Sequence, residues 1–326
     1  MKRILIIGGG GYVGSQLVPD LLDLNYKVDV YDLFIYGKDV FDKNDRLQLI
    51  KGDIRDIENL NKIIKNYDTI VHLACISNDP SFELNPKLGK SINLDCFRPL
   101  VKLSKRRNVK RFIYASSSSV YGIKKEKNVS EKLSLEPLTD YSKFKVECEK
   151  ILLEYKEDNF ETVIVRPATV CGYAKRQRLD VVVNILTNLA YNKRKIKIFG
   201  GDQLRPNIHI KDMSRIYIRV IEANKDLVNG QIFNAGYDNM TVNEIAATVK
   251  KVVGQDVTVE KENTNDNRSY HISSEKIKNI LDFQPRFSIE DAVTDLKEAF
   301  ENNMLPNSLN DSIYFNIKKM QEINLK

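Results

Sequence analysis

The sequence predicts an α/β chain: a doubly wound parallel sheet with a smaller, mostly helical C-terminal lobe. Three observations carry this prediction. Short apolar runs recur through the first half of the chain with helical stretches between most of them, the spacing that parallel crossovers need. The first of these runs ends directly in glycines. Beyond about residue 170 the alternation becomes irregular. At 326 residues and 42% hydrophobic, the chain can build one large domain or two interlocked ones around a real core.

Residues 4–7, ILII, read as a buried strand closed by glycines. The next pattern is a helix with Val13, Leu17, Val18, Leu21 and Leu22 on one face. Pro19 lies inside it, where a missing N–H and a ring clash should bend the axis. Residues 28–32 (VDVYD) give a second strand, 48–50 a third, 69–74 (TIVHLA) a fourth, 111–117 (RFIYASS) a fifth and 162–168 (TVIVRPA) a sixth. FNAGYD at 233–238 reads as a further strand returning to the sheet. The pattern therefore divides the chain into a sheet domain over 1–172, rejoined by 203–238, and a lobe built from 173–202 and 239–326. The last twenty residues carry no strong pattern.

The N-terminal apolar run is too short for a signal-peptide core or a membrane span, and no other stretch approaches 18 apolar residues. A soluble, cytoplasmic protein is expected, with no membrane partner. Cys75, Cys96, Cys148 and Cys171 are widely spaced and read as free thiols; with His72, His209 and His271 equally scattered, no metal site is expected. The net charge of +7 comes from 51 basic and 44 acidic residues, mostly interspersed. KRRNVKR at 105–111 reads as a solvated helix end. Without an aromatic-interleaved patch or a known module, nucleic-acid binding is not expected. A mild basic excess suits an anionic small substrate.

The glycines following the first strand are spaced for a ligand. Gly8, Gly11 and Gly14 form GxxGxxG with Tyr12 and Val13 between the last two. The first permits a tight turn, the second lets backbone approach a pyrophosphate, and the third allows the helix to pack closely on the strand. The helix N-terminus then offers N–H groups and a partial positive charge to phosphates. This context, strand then glycines then amphipathic helix, marks a dinucleotide site. Asp32 ends the second strand, 18 residues beyond Gly14. A carboxylate there accepts from both ribose hydroxyls and repels a 2′-phosphate, so NAD is expected over NADP.

A second constellation lies further on. YASSSSVYG at 114–122 ends the fifth strand, where parallel sheets place their ligands. Tyr141 and Lys145 follow at i and i+4 of a helical pattern and share one face. The lysine ammonium and a positive nicotinamide ring should both lower the phenol's pKa from about 10 and make Tyr141 a general base for an alcohol.

These motifs together resemble the extended short-chain dehydrogenase/reductase family, in its NAD-dependent nucleotide-sugar epimerase/dehydratase group, over roughly residues 3–295. The resemblance implies a Rossmann-type sheet domain and a nucleotide-sugar-binding lobe. IIGGGGYVGSQLV resembles the cofactor loop. KGDIRD at 51–56 resembles the stretch meeting adenine, which implies that role for Asp53 and Ile54. VHLACIS resembles the strand end under the cofactor, placing Leu73 and Ala74 there, and SINLDCF carries the family's helix asparagine as Asn93. By its place three residues before the valine of VYG, Ser117 is the implied catalytic serine, with Ser118 lining the substrate pocket.

QLRPNIHIKDM and NRSYHISSEKIKNIL resemble the two segments whose arginines meet the substrate diphosphate, here Arg205 and Arg268. Arginine suits that work because its planar fork pairs two oxygens at once. After the sixth strand, Thr169 stands where many relatives have asparagine. Arg176, Arg178 and Asn184 lie where relatives meet the nucleotide or sugar. RLDVVVN resembles a subgroup of polysaccharide-locus enzymes that includes a nucleotide-heptose 4-dehydrogenase.

The expectation is an NAD-dependent enzyme oxidising a nucleotide-diphosphate sugar at C4, as a 4-epimerase or as a 4-dehydrogenase releasing the ketosugar. A 4,6-dehydratase is disfavoured, because those relatives carry Asp-Glu where this chain has Ser118 and Ser119. The rival is an NAD-binding sensor or scaffold without turnover, against which the intact Ser117, Tyr141 and Lys145 argue. The family also implies a homodimer through the YxxxK helix and the long helix before it, with Cys96, Phe97, Leu100, Val146 and Ile151 as apolar residues that serve either that face or the chain's own core.

Overall fold

The computed structural model describes residues 2–264 and 269–326. The first half runs β1 (Arg3–Ile7), α1 (Gly14–Asp23), β2 (Lys27–Asp32), β3 (Leu47–Lys51), α2 (Ile57–Ile63), β4 (Thr69–His72), α3 (Asp79–Glu83), α4 (Pro86–Lys90), α5 (Phe97–Arg106), β5 (Arg111–Ala115), α6 (Asp140–Glu154) and β6 (Glu161–Pro167). The second half runs β7 (Thr169–Cys171), α7 (Val182–Lys193), β8 (Lys195–Phe199), β9 (Leu204–His209), α8 (Ile210–Glu222), α9 (Lys225–Val228), β10 (Gln231–Ala235), β11 (Asp238–Thr241), α10 (Val242–Val253), β12 (Thr258–Glu262), α11 (Glu275–Leu281), α12 (Ile289–Glu301) and α13 (Asn316–Glu322).

Seven strands form one parallel sheet in the order β10-β6-β5-β4-β1-β2-β3. The order reverses between β1 and β4, and a crevice opens there at the carboxyl ends of the strands. The pleat sends Ile4 and Ile6 to one face and Leu5 and Ile7 to the other. The first face packs against Leu17, Val18 and Leu21 of α1 and Met213, Ile216 and Val220 of α8. The second packs against Phe97, Leu100 and Val101 of α5 and Ile151 and Leu152 of α6. With both faces covered, the central strands can be apolar throughout, which is why they read as continuous runs. The helix α1 continues through Pro19 to Asp23.

The strands β4 and β5 stop at His72 and Ala115, earlier than their apolar patterns imply. Beyond β4 the chain turns at once, with Leu73 N and Ala74 N both donating to Ile7 O at 2.8 and 2.9 Å. Beyond β5 it turns through Ser118–Tyr121. Residues of both turns line the crevice.

The lobe packs α7, α10 and α12 with the paired strands β8 and β12. Two segments assigned to it by the sequence pattern pack elsewhere. On α11, Ile277 and Leu281 join the first face of the sheet. On the patternless tail, Met320 joins the second face, with Leu325 packed beside it. The residues considered for a dimer face, Cys96, Phe97, Leu100, Val146 and Ile151, are all buried within the chain. They are core of this protomer and present no open apolar face.

Candidate active site

A cavity of about 550 Å³ opens at the sheet's reversal point. Its floor is the glycine loop, where close contact explains the residue type. A Cβ on Gly8 (φ +84°) would lie 2.3 Å from Ala74 N, and one on Gly14 would lie 2.1 Å from Gly9 O. Beside Gly11 the nearest atom to a Cβ is Gly8 O at 3.4 Å, which leaves the loop's cavity side open to a ligand. In the first turn of α1, Ser15 N donates to Gly11 O at 2.9 Å and Gln16 N and Leu17 N to Val13 O at 3.2 and 3.0 Å, so the positive end of the helix adjoins the glycine loop directly. Asp32 holds the loop, accepting from Gly10 N at 3.0 Å and Phe34 N at 2.7 Å. Burial pushes its carboxyl above the ordinary value, while these two amides and Arg176 oppose that rise. A loop tailored to backbone contact, a helix N-terminus and a carboxylate at the next strand's end fit an NAD molecule.

Gly8, Gly11, Tyr12, Val13, Gly14, Asp32, Asp53, Ile54, Leu73 and Ala74 all line the cavity. Asn93 does not. Its amide accepts from Ile76 N at 2.8 Å and donates to Ile76 O at 3.0 Å, bracing the loop after β4. It reaches that loop from a single π-helical turn, Ser91–Asp95, which runs into α5.

At the other end of the cavity lie Ser117, Ser118, Tyr141 and Lys145. The four serines divide by surroundings. Ser117 Oγ lies 2.9 Å from Ser119 Oγ, and Ser118 is buried in the cavity wall. Ser116 donates to Glu149 behind the strand. Glu149 forms a buried pair with Arg166, Nη2–Oε2 2.6 Å and Nε–Oε1 2.9 Å, and Arg166 reaches Tyr121 Oη at 2.7 Å. Tyr121 in turn donates to Asn234 on β10 at 2.7 Å. This chain of bonds ties the serine turn to α6, β6 and β10.

Lys145 is buried on α6 and donates to Ala115 O at 2.7 Å, with its Nζ 5.7 Å from the Tyr141 ring centre. Sequence spacing implies a phenol lowered by this ammonium. In the protein alone the balance runs the other way: burial raises the Tyr141 phenol, and Lys145 and Arg178 only partly offset it. The positive ring invoked for the cofactor belongs to the loaded site.

The basic residues also divide. Arg205 and Arg178 line the cavity, Arg205 beside Tyr270 and Arg178 paired with Asp180 at 2.5 Å. One guanidinium nitrogen of Arg178, Nη2, is buried with no partner among the described residues. Asn184 does not reach the cavity; it accepts from Gly172 N and donates to Tyr12 Oη and Arg178 O, holding the wall. Arg268 lies outside the described residues. The cysteines are free, with Cys75 half-buried in the cavity wall. Among the described residues no three His, Cys, Asp or Glu side chains are grouped to hold a metal, and no helix is long and apolar enough to cross a membrane.

Sequence reasoning missed four groups here: Tyr36, Ser77, Asp180 and the tail residues Asn316, Met320 and Leu325, all of which line the cavity. Glu149 had a signal, since it continues the Tyr141–Lys145 stripe by one more step of four. The tail had none.

A glycine-floored crevice at a sheet's reversal point, with serine, tyrosine and lysine at its far end, defines a dinucleotide-dependent enzyme of the extended short-chain dehydrogenase/reductase type. The chain belongs to the NAD dependent epimerase/dehydratase family, whose model matches residues 4–236. It is 26% identical to a UDP-glucose 4-epimerase of Lactobacillus helveticus over 89% of this chain and 94% of that one. It is 29% identical to UDP-glucuronic acid decarboxylase 1 of Arabidopsis thaliana, over 93% and 71%. A solved UDP-glucose 4-epimerase from Thermotoga maritima, with UDP-glucose, superposes with a TM-score of 0.83 at 24% identity, over 93% and 99%.

Proposed function

We propose that the protein modifies a nucleotide-diphosphate sugar by oxidising it at C4, and that it acts as a 4-epimerase. The observation that carries this is a single cavity joining the glycine loop to Ser117, Tyr141 and Lys145, with Arg178 and Arg205 in its wall. The names of the relatives above support the substrate class. NAD, when bound, supplies the hydride acceptor. Gly8 to Gly14 and Asp32 would hold its pyrophosphate and adenosine ribose, Asp53 and Ile54 its adenine, and Lys145 its nicotinamide ribose. Tyr141 takes the proton of the sugar hydroxyl, and Ser117 orients that oxygen. Lys145 stays charged beside the phenol and favours its ionised form. Arg205 pairs with the diphosphate.

The tail supports an epimerase over a dehydrogenase, because Asn316, Met320 and Leu325 wall the cavity and favour a cofactor retained through turnover. The test incubates the protein with a panel of nucleotide sugars, with and without added NAD, and analyses products by NMR. An epimerase gives the C4 epimer without added cofactor and accumulates no NADH. Stoichiometric NADH and a ketosugar identify a dehydrogenase instead. No turnover across the panel, with NAD bound, removes the enzymatic reading.

A further inference from the structure

One buried cation in the cavity wall has no counterion among the described residues. Arg176 is 4% exposed, yet it forms no ion pair among the described residues. Its Nε is buried without a partner. Its Nη2 donates to Asn316 Oδ1 at 2.8 Å, and Nη1 makes only a long contact of 3.5 Å with Gln177 O. Its guanidinium plane lies 3.5 Å from the Tyr36 ring centre. A charged group taken out of water without a partner is costly, and burial pulls this guanidinium below its ordinary pKa. The nearby charges are Arg178, which repels it, and Asp180 and Asp32, neither in contact. Asp180 is already held by Arg178 Nε and by Asn316 N, and Asp32 by two backbone amides.

Position says which anion the site awaits. The backbone N–H of Arg176 donates to Ser15 Oγ in the first turn of α1, so the residue is anchored at the glycine loop. Tyr36 follows β2 and Asp32, on the cofactor's adenosine side. Three elements hold the head in place. Tyr36 stacks on it and donates to Asn316 Oδ1 at 2.9 Å, and Asn316 Nδ2 donates to Ser77 Oγ at 2.9 Å in the loop after β4. Asn316 is thus the knot joining the tail to the loops after β2, β4 and β7.

We infer that Arg176 is a phosphate ligand of the dinucleotide's pyrophosphate, closing over it opposite the glycine loop, and that Asn316 of the C-terminal tail is the positioning residue that aims it. This assigns Arg176 to the cofactor rather than to the sugar nucleotide, and makes residues near 316 part of the dinucleotide site. The inference rests on dinucleotide binding but not on the sugar chemistry proposed above. Absence of sugar turnover by the wild-type protein with NAD bound would sink that reading and leave this one standing.

Titration calorimetry on protein freed of bound cofactor tests it, with NAD, ADP-ribose, adenosine and UDP as separate ligands. Arg176→Met keeps the volume and removes the charge. It should weaken NAD and ADP-ribose by about tenfold or more while leaving adenosine and UDP unchanged. The thermal midpoint of the cofactor-free variant should equal or exceed that of the wild type, because an unpaired buried charge is gone. Unchanged affinity for NAD and ADP-ribose overturns the inference. So does a loss confined to UDP, which would give the anion site to the substrate. Should Arg176→Met fail to fold, Arg176→Lys and Asn316→Ala answer the same question. Each should lose NAD affinity by at least a few-fold with UDP affinity kept, and wild-type NAD binding by both overturns it.

Discussion

Single side chains carry the chemistry, and three substitutions test them. Tyr141→Phe removes one oxygen from a side chain that only partly faces the cavity, so fold and cofactor binding should persist. The lost general base should lower turnover about 10²- to 10⁴-fold. Wild-type rates on a substrate the native protein uses would remove Tyr141 from the mechanism. Asp32→Ala deletes the acceptor of Gly10 N and Phe34 N as well as the ribose carboxylate. It should weaken NAD and narrow its advantage over NADP, which parallel titrations of the two cofactors measure. A wild-type preference for NADP would contradict the role given to this carboxylate. Arg205→Ala should raise the dissociation constant for UDP about tenfold with NAD affinity unchanged, since a charged hydrogen bond is worth about 1.5–3 kcal/mol. Undiminished UDP binding would place the diphosphate elsewhere.

At the scale of elements, α6 does two tasks with one stripe. Tyr141 and Lys145 serve the cavity, and Glu149, one step of four further on, fixes the helix to β6 through Arg166. Glu149→Ala would leave Arg166 buried and unpaired, at a cost of about 3–5 kcal/mol. Urea unfolding should show that loss, and a shift below about 1 kcal/mol would mean water or a neighbour replaces the carboxylate. The strands and the glycine loop were legible in the sequence because both sheet faces are buried and only glycine tolerates the contacts at positions 8 and 14. The YxxxK stripe was legible through helical spacing alone. The roles of Asn93 and Asn184 were not: motif position put them at the ligand, whereas their amides bind backbone nearby and, for Asn184, also Tyr12 Oη. The same spacing that placed Lys145 beside Tyr141 could not show how far burial would oppose it. The tail was invisible because its contacts are with residues far back in the chain, Tyr36, Ser77 and Arg176, and leave no local periodicity.

Considered whole, the molecule sets its reaction type by what surrounds Ser117. Elimination of water across C5 and C6 needs an acid and a base, and serine hydroxyls at 118 and 119 can be neither near neutrality. Ser119 is engaged with Ser117, and Glu149 behind the strand is committed to Arg166. The carboxylates lining the cavity among the described residues are also engaged: Asp32 by two backbone amides, Asp53 by Arg55, Asp79 by Thr139 Oγ1 at 2.6 Å and Asp180 by Arg178. The product should therefore keep its C6 substituent, as an epimer or a simple 4-ketosugar. Mass analysis and NMR decide it: a product lighter by one water, with a new C6 methyl signal, would show that one of these carboxylates is recruited.

The seating of Asn316 across the cavity also has a consequence for biosynthesis. A chain folds from its N-terminal end while it is being made, and the glycine loop and all seven strands of the large sheet precede residue 236. The crevice is therefore expected to form, uncovered, on a nascent chain that still lacks Asn316. A dinucleotide that enters during that interval meets an open groove, and translation of the last helix shuts it in. Cofactor loading would then be an event of the protein's birth, and a mature, emptied protein should reload more slowly than a newly made one fills.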